Sequence, residues 1–416
     1  MQTLTNMLSP ARRAVAASTM AQIVGKAIGV LSMVAITFII ANRLGAAGYG
    51  DYVKITTYVT LFYLVADFGM NAIFLHQADD QASYPTLWYI RTIVSTVLMV
   101  IALLILLLLP GTGSAGYTPT VKFGILLFSP TILLQAWVTT ANAMFQKHLR
   151  YDLASWAILA GSTSSVVLVY IFYSVVGASG IVPAIEALLM GSIITSAVAL
   201  AGAHYVGKPF SWRVSALGVR NMVIPSIPLA ATLLFNLVYF RADSIIITLT
   251  RSSGEVGVYG LAYKVFEVVI VFPTFFMNAV YPFMVRDQQK IRKFFSQSAL
   301  FLFGSSLFFL AAIWFMAPFL SIIKNDFIPS VGALRVLALG LPFFFTTSAT
   351  MWALVALKKQ KMLMMIYGIS MAVNIFGNIV FVPAYGYMAA AWMTVVGEGL
   401  VLVLSARALR AGFKHL

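Results

Sequence analysis

The stretch Gly45-Ala-Ala-Gly48-Tyr49-Gly50-Asp51-Tyr52-Val53-Lys54 is echoed by Gly254-Glu-Val-Gly257-Val-Tyr259-Gly260-Leu-Ala-Tyr263-Lys264. Tyr49, Gly50 and Lys54 return 210 positions later as Tyr259, Gly260 and Lys264. A second match has nearly the same offset, Lys147 and Arg150 returning as Lys358 and Lys361. That spacing is close to half of the 416-residue chain, so the sequence reads as two related halves. Parallel repeats of this kind place a pathway between the halves, along an axis normal to a membrane.

The surroundings of these segments make the membrane explicit. The chain is 61% hydrophobic and 9% charged, whereas about a quarter of a soluble domain is charged. Residues 101–109 are apolar on every face, which excludes the alternating strands of a transmembrane barrel. A helical span takes about 20 apolar residues. The run from about Thr19 to Ala41 is long enough for span 1 and lacks the small-residue cleavage site of a signal peptide. Later spans begin near Val53, Leu87, Lys122, Leu153, Ile181, Met222, Gly257, Ser296, Val331, Met362 and Gly386. The expected fold is an all-α polytopic membrane protein. It has twelve transmembrane helices in two pseudosymmetric six-helix lobes, residues 1–206 and 222–416, joined by a basic linker over 207–221.

With no cysteine and four scattered histidines, the sequence excludes redox and zinc chemistry; no cofactor and no metal are expected. The net charge of +15 does not imply nucleic-acid binding, because Lys and Arg gather in cytoplasmic loops. With the N-terminus inside, those segments hold Arg12, Arg13, Lys147, Arg150, Lys208, Arg213, Arg220, Arg286, Lys290, Arg292, Lys293, Lys358, Lys359, Lys361, Arg407, Arg410 and Lys414. Outside loops and their margins hold Arg43, Lys122, Arg251 and Lys324. Both termini are therefore expected inside, and setting this orientation is a sufficient task for the basic loops.

The segment Leu44-Gly45-Ala-Ala-Gly48-Tyr49-Gly50-Asp51-Tyr52, followed by Ala66-Asp67-Phe68-Gly69-Met70, resembles the opening of the polysaccharide biosynthesis proteins that include O-antigen (Wzx-type) lipid flippases. Arg241-Ala-Asp243 with Gly254 to Gly260 resembles the start of that family's second half. Asn374 to Asn378, Pro383 to Gly386 and Glu398 resemble its last two helices, and Ala143-Met-Phe145-Gln-Lys147 resembles the end of its fourth. The resemblance implies the fold of the multidrug/oligosaccharidyl-lipid/polysaccharide exporter superfamily, two lobes around a central cavity. It also implies transfer of a polyprenyl-pyrophosphate-linked oligosaccharide across the bacterial cytoplasmic membrane. The implied partners are that glycan lipid, membrane lipids, a polysaccharide polymerase and a chain-length regulator.

Independently of that family, a charge at mid-bilayer costs roughly 2.5–3.5 kcal/mol even on a lenient scale, so several together call for a partner, a wet cavity or a task. Candidate cations are Lys26, Lys54, Arg241 and Lys264; acids in or near spans are Asp67, Glu186, Asp243, Glu267 and Glu398. Arg241 and Lys264 stand at similar distances from the turn near Ser252 and should be level, which suits a diphosphate. Lys264 has a competing reading, neutralisation by Glu267 at i+3 or by Asp243. Lys26 and Lys54 are headgroup candidates too, or else snorkel from a nearby helix end. Asp67 is either a protonatable coupling group or a partner of Lys26. Glu398, Asn374 and Asn378 suit hydrogen bonds between helices.

Prolines 130, 225, 228, 273, 282, 318 and 342 permit bending within or near spans. Asp79-Asp80 resembles the metal pair of a membrane glycosyltransferase only in isolation: it falls on the cytoplasmic side with no second acidic motif. A polymerase or glycosyltransferase is also expected to carry a long outside loop, and none is present. A drug exporter of the same superfamily should favour acids in its cavity. The expectation is therefore a lipid-linked oligosaccharide flippase rather than an enzyme.

Overall fold

A computed structural model describes residues 10–67, 69–76, 83–112, 115–206 and 214–413. In chain order the helices are α1 (residues 10–44), α2 (46–67), α3 (Met70–His76), α4 (Ser83–Leu108), α5 (Pro119–Phe128), α6 (Thr131–Lys147), α7 (Tyr151–Tyr170), α8 (Val182–Tyr205), α9 (Ala216–Thr250), α10 (Ser253–Arg286), α11 (Ile291–Met316), α12 (Ile328–Leu339), α13 (Leu341–Ala356), α14 (Gln360–Tyr385) and α15 (Tyr387–Phe413). A short antiparallel hairpin pairs β1 (Gly111–Thr112) with β2 (Ala115–Gly116).

Ten helical segments among the described residues are long and apolar enough to cross a membrane. One of them, Val24–Tyr63, is two spans in succession: Gly45, at φ 68 and ψ −170, leaves the helical region and separates α1 from α2. Only glycine adopts that backbone without strain. The 35-residue α9 supplies a further span, so the chain crosses twelve times, six before and six after residues 207–213. The protein is an all-α, multi-pass membrane protein. Leu107, Leu108, Phe315 and Phe376 are largely exposed, a placement costly in water and ordinary in lipid.

The duplication is written in backbone geometry as well as in sequence. The fourth span breaks between α5 and α6 at Ser129 and Pro130, and the tenth breaks at the equivalent place, Gly340, between α12 and α13. Leu149 and Lys358 are the non-glycine residues with positive φ among those described. Each follows a helix end closed by paired bonds. Arg150 N–H donates to Phe145 C=O (2.8 Å) and Leu149 N–H to Gln146 C=O (3.3 Å); Lys359 N–H donates to Leu354 C=O (2.9 Å) and Lys358 N–H to Val355 C=O (2.9 Å). These are two copies of one Schellman motif; they pair Leu149 with Lys358, so the sequence match of Lys147 with Lys358 and of Arg150 with Lys361 is out of register by two residues.

Two compact units emerge. The first runs through Leu44 and takes Ile55–Leu109 and Pro119–Leu234; the second takes Gly45–Lys54, Pro110–Thr118 and Phe235–Leu416. In the first, α7 packs along α8, and α6 contacts both α4 and α8. In the second, α14 packs along α15, α13 along α11 and α15, and α10 along α12 and α13. Residues 45–54 join the second unit through the start of α10. A Cβ on Gly50 would overlap the Ser253 carbonyl, and one on Gly257 would overlap the Ala46 carbonyl. The first repeat segment is thus packed directly against its own echo.

Candidate functional site

The site is built on the α9–α10 turn. Ser252 caps α10 by accepting a hydrogen bond from Glu255 N–H at 3.3 Å, which fixes where the helix starts and hence how Arg241 and Lys264 are spaced. Arg241 precedes Ser252 by eleven residues and Lys264 follows it by twelve. At 1.5 Å per residue both lie about 16–18 Å along their helices from the turn.

One carboxylate holds both cations. Arg241 Nη2 donates to Glu267 Oε1 at 3.1 Å, and Lys264 Nζ donates to Glu267 Oε2 at 3.0 Å. The sequence reading anticipated the Lys264–Glu267 pair as an alternative to ligand binding; the arginine completes a triad. Its side chains keep 27%, 31% and 31% of their surface for Arg241, Lys264 and Glu267, so the cluster is reachable. Two cations around one carboxylate leave a net single positive charge. One of the five guanidinium donors is used by Glu267, and the remainder offer the fork geometry that matches phosphate oxygens.

Asp243, the expected cavity ion-pair candidate, is a buried hydrogen-bond acceptor. It is 3% exposed, accepts the Tyr259 hydroxyl and the Ser244 N–H, and leaves Lys264 to Glu267. The reason is helical phase: two residues from Arg241, it points to the packed side of α9.

Lys54 is buried as well. It is 1% exposed, and its ammonium donates at 2.9 Å to the Gly116 carbonyl and at 2.9 Å to Ser253 Oγ. Ser253 in turn donates to Asp51 at 2.6 Å. Its partner on α10 is eleven residues from Lys264, about 16 Å along the helix, so Lys54 does not join the Arg241–Lys264 pair. Its charge secures the hairpin and the start of α10.

Lys26 belongs to the first unit, exposed beside Gln22, Asn142 and Gln146. Asp67 closes α2, with its side chain outside the described residues, as are Asp79, Asp80, Lys208 and Arg213. Asn374 bridges helices as expected, donating to the Met393 carbonyl at 3.4 Å, while Asn378 bonds Asn374. Glu398 is 2% exposed, and its Oε2 has no hydrogen-bond partner among the described residues. No group of three or more His, Cys, Asp and Glu side chains among those described is placed to hold a metal.

The described residues thus form a multi-pass membrane protein with a charged, partly exposed cluster on two adjacent helices. The family model described as polysaccharide biosynthesis protein matches residues 11–288, and the chain belongs to that family. A MatE model matches residues 228–380. Among solved structures the chain is similar to the lipid II flippase MurJ in an inward closed conformation, at 13% identity and a TM-score of 0.78, covering 94% of this chain and 87% of that one. It is similar to the inward-facing conformation of a multidrug resistance MATE family transporter of the MOP superfamily, at 15% identity and 0.74, covering 94% and 99%. A MOP superfamily transporter from Pyrococcus furiosus aligns at 17% identity and 0.63, covering 97% and 95%. No curated protein sequence matches the chain. The fold is therefore that of the MOP superfamily.

Proposed function

We propose that the protein is a flippase that moves a polyprenyl-pyrophosphate-linked oligosaccharide across the bacterial cytoplasmic membrane by alternating access, for surface polysaccharide biosynthesis. Its lobes are residues 1–206 and 222–416, joined by a basic linker over 207–221. The observation that carries the reading is the Arg241–Glu267–Lys264 triad, whose net positive charge within two spans suits an anionic diphosphate headgroup. Glu267 offsets part of the cost of keeping two cations in the membrane while leaving one charge over. The MatE match keeps a cation exporter in view, but a cationic drug would meet the wrong sign at this triad. Membership in the polysaccharide biosynthesis family supports the glycan lipid in turn.

Arg241 is the principal headgroup ligand and Lys264 its partner, with Asp67 the acid whose protonation couples transport to a proton gradient. Purified protein in vesicles with a labelled lipid-linked oligosaccharide tests this. Arg241→Gln should abolish or strongly reduce flipping and Arg241→Lys should retain part of it, because an ammonium keeps the charge without the paired donors. Normal flipping by Arg241→Gln overturns the headgroup site. An Asp67→Asn variant that responds normally to a proton gradient removes Asp67 from coupling.

A further inference from the structure

A second polar site lies wholly within the first unit. Where α1 meets the end of α6 and the start of α7, Gln22, Lys26, Asn142, Gln146, Tyr151 and Ser155 line a cleft of about 190 Å³. Local sequence builds it. Gly25 lets α1 approach α7 so closely that a Cβ there would sit 2.6 Å from Ser155 Oγ, which sets Gln22 and Lys26 beside the first turns of α7. Asn142 and Gln146 are four apart on α6 and share a face, as do Tyr151 and Ser155 on α7. The Schellman turn at Leu149 folds these two pairs toward each other.

The lining chemistry narrows the ligand. Three carboxamides, two hydroxyls and one ammonium converge, and no carboxylate lines the cleft, so a metal ion or an organic cation has no counter-charge there. The carboxamides of Gln22, Asn142 and Gln146 make no hydrogen bond to protein among the described residues. Each offers both a donor pair and an acceptor, the pattern that adjacent hydroxyls of a sugar ring satisfy. The volume is below the roughly 300 Å³ at which drug-sized pockets begin, which leaves room for one sugar ring. Carboxamides held toward a cleft beside a membrane span are costly unless water or a ligand meets them.

We propose that this cleft is a sugar subsite, in which Gln22, Asn142 and Gln146 bond the ring hydroxyls of one residue of the transported glycan. This rests on the reading of the substrate as a glycan lipid, but its test does not use the lipid. The chain has no cysteine, so Ala154→Cys, on the cleft wall, creates a single reporter. Labelling by a small thiol reagent in phosphatidylcholine nanodiscs is followed with methyl glycosides of glucose, N-acetylglucosamine and glucuronate as probes. At least one should slow labelling, about threefold at twice its Kd by mass action. Asn142→Ala and Gln146→Ala in the reporter background should remove that protection while labelling without sugar keeps its rate, which shows the cleft intact. If no glycoside protects, or if protection survives both substitutions, the cleft holds water alone and the proposal falls. Normal flipping by Arg241→Gln would sink the headgroup site without changing the labelling result.

Discussion

Leu149 and Lys358 take the same left-handed backbone, φ 55 and φ 59, at equivalent positions in the two halves of the chain. Left-handed geometry costs a residue with a Cβ roughly 1–2 kcal/mol. Both side chains lie at the surface, Leu149 at 48% exposure. Leu149→Gly should therefore raise stability by about 1 kcal/mol, and Leu149→Val, being β-branched, should lower it. Thermal unfolding in detergent orders the three proteins; a Gly variant less stable than the parent would show that the leucine holds something besides the turn.

The approach of residues 46–50 to the start of α10 depends on two positions without a Cβ. In Gly50→Ala the new methyl meets the Ser253 carbonyl, and in Gly257→Ala it meets the Ala46 carbonyl. Backbone cannot yield as a flexible side chain can, so each substitution should cost about 1–3 kcal/mol, the range of overpacking. A proteolysis or unfolding assay should show both variants weakened. Gly254→Ala, whose added Cβ would meet only Ser252 Oγ at 3.7 Å, serves as the tolerant control.

Lys54 is expected to act on folding and not on substrate affinity. Lys54→Met keeps the length of the side chain but leaves the Gly116 carbonyl and Ser253 Oγ without their donor. Leaving such groups buried and unsatisfied costs about 1–3 kcal/mol. The variant should show a lower unfolding midpoint and reduced yield, while the protein that does fold binds glycan lipid with parental affinity. A selective loss of affinity at unchanged stability would return Lys54 to the headgroup site.

The spans were legible in sequence because twenty apolar residues have few alternatives to a membrane helix, and the duplication was legible because Tyr49, Gly50 and Lys54 return intact. The level placement of Arg241 and Lys264 followed from counting outward from Ser252. Their joint hold on Glu267 did not, because Arg241 and Glu267 are 26 residues apart and their pairing depends on the rotation of one helix against the other. Lys54 is opaque in sequence for the same kind of reason. Its partners lie 62 and 199 residues away, and a lone lysine in an apolar run looks alike whether it faces water or a buried carbonyl. The cleft of Gln22, Asn142 and Gln146 went unnoticed because uncharged amides near helix ends give no electrostatic signal.

Charge at the triad should move affinity in opposite directions in two variants that both lose turnover. Arg241→Gln leaves Lys264 and Glu267 as a neutral pair, whereas Glu267→Gln leaves two uncompensated cations. If the substrate is a diphosphate, the first variant should bind the lipid headgroup weakly. The second should bind it more tightly and release it more slowly, so that flipping falls in both while affinity moves apart. The difference between them should shrink with added salt, because partly exposed charges are screened over about 8–10 Å at physiological ionic strength. Removing the carboxylate also returns the desolvation cost of the two cations, so Glu267→Gln should be the less stable protein even as it binds more tightly. Headgroup affinity is measured with the polyprenyl pyrophosphate alone in nanodiscs, and flipping with the glycosylated lipid in vesicles. Equal affinities in the two variants would mean that the triad serves only to hold α9 against α10.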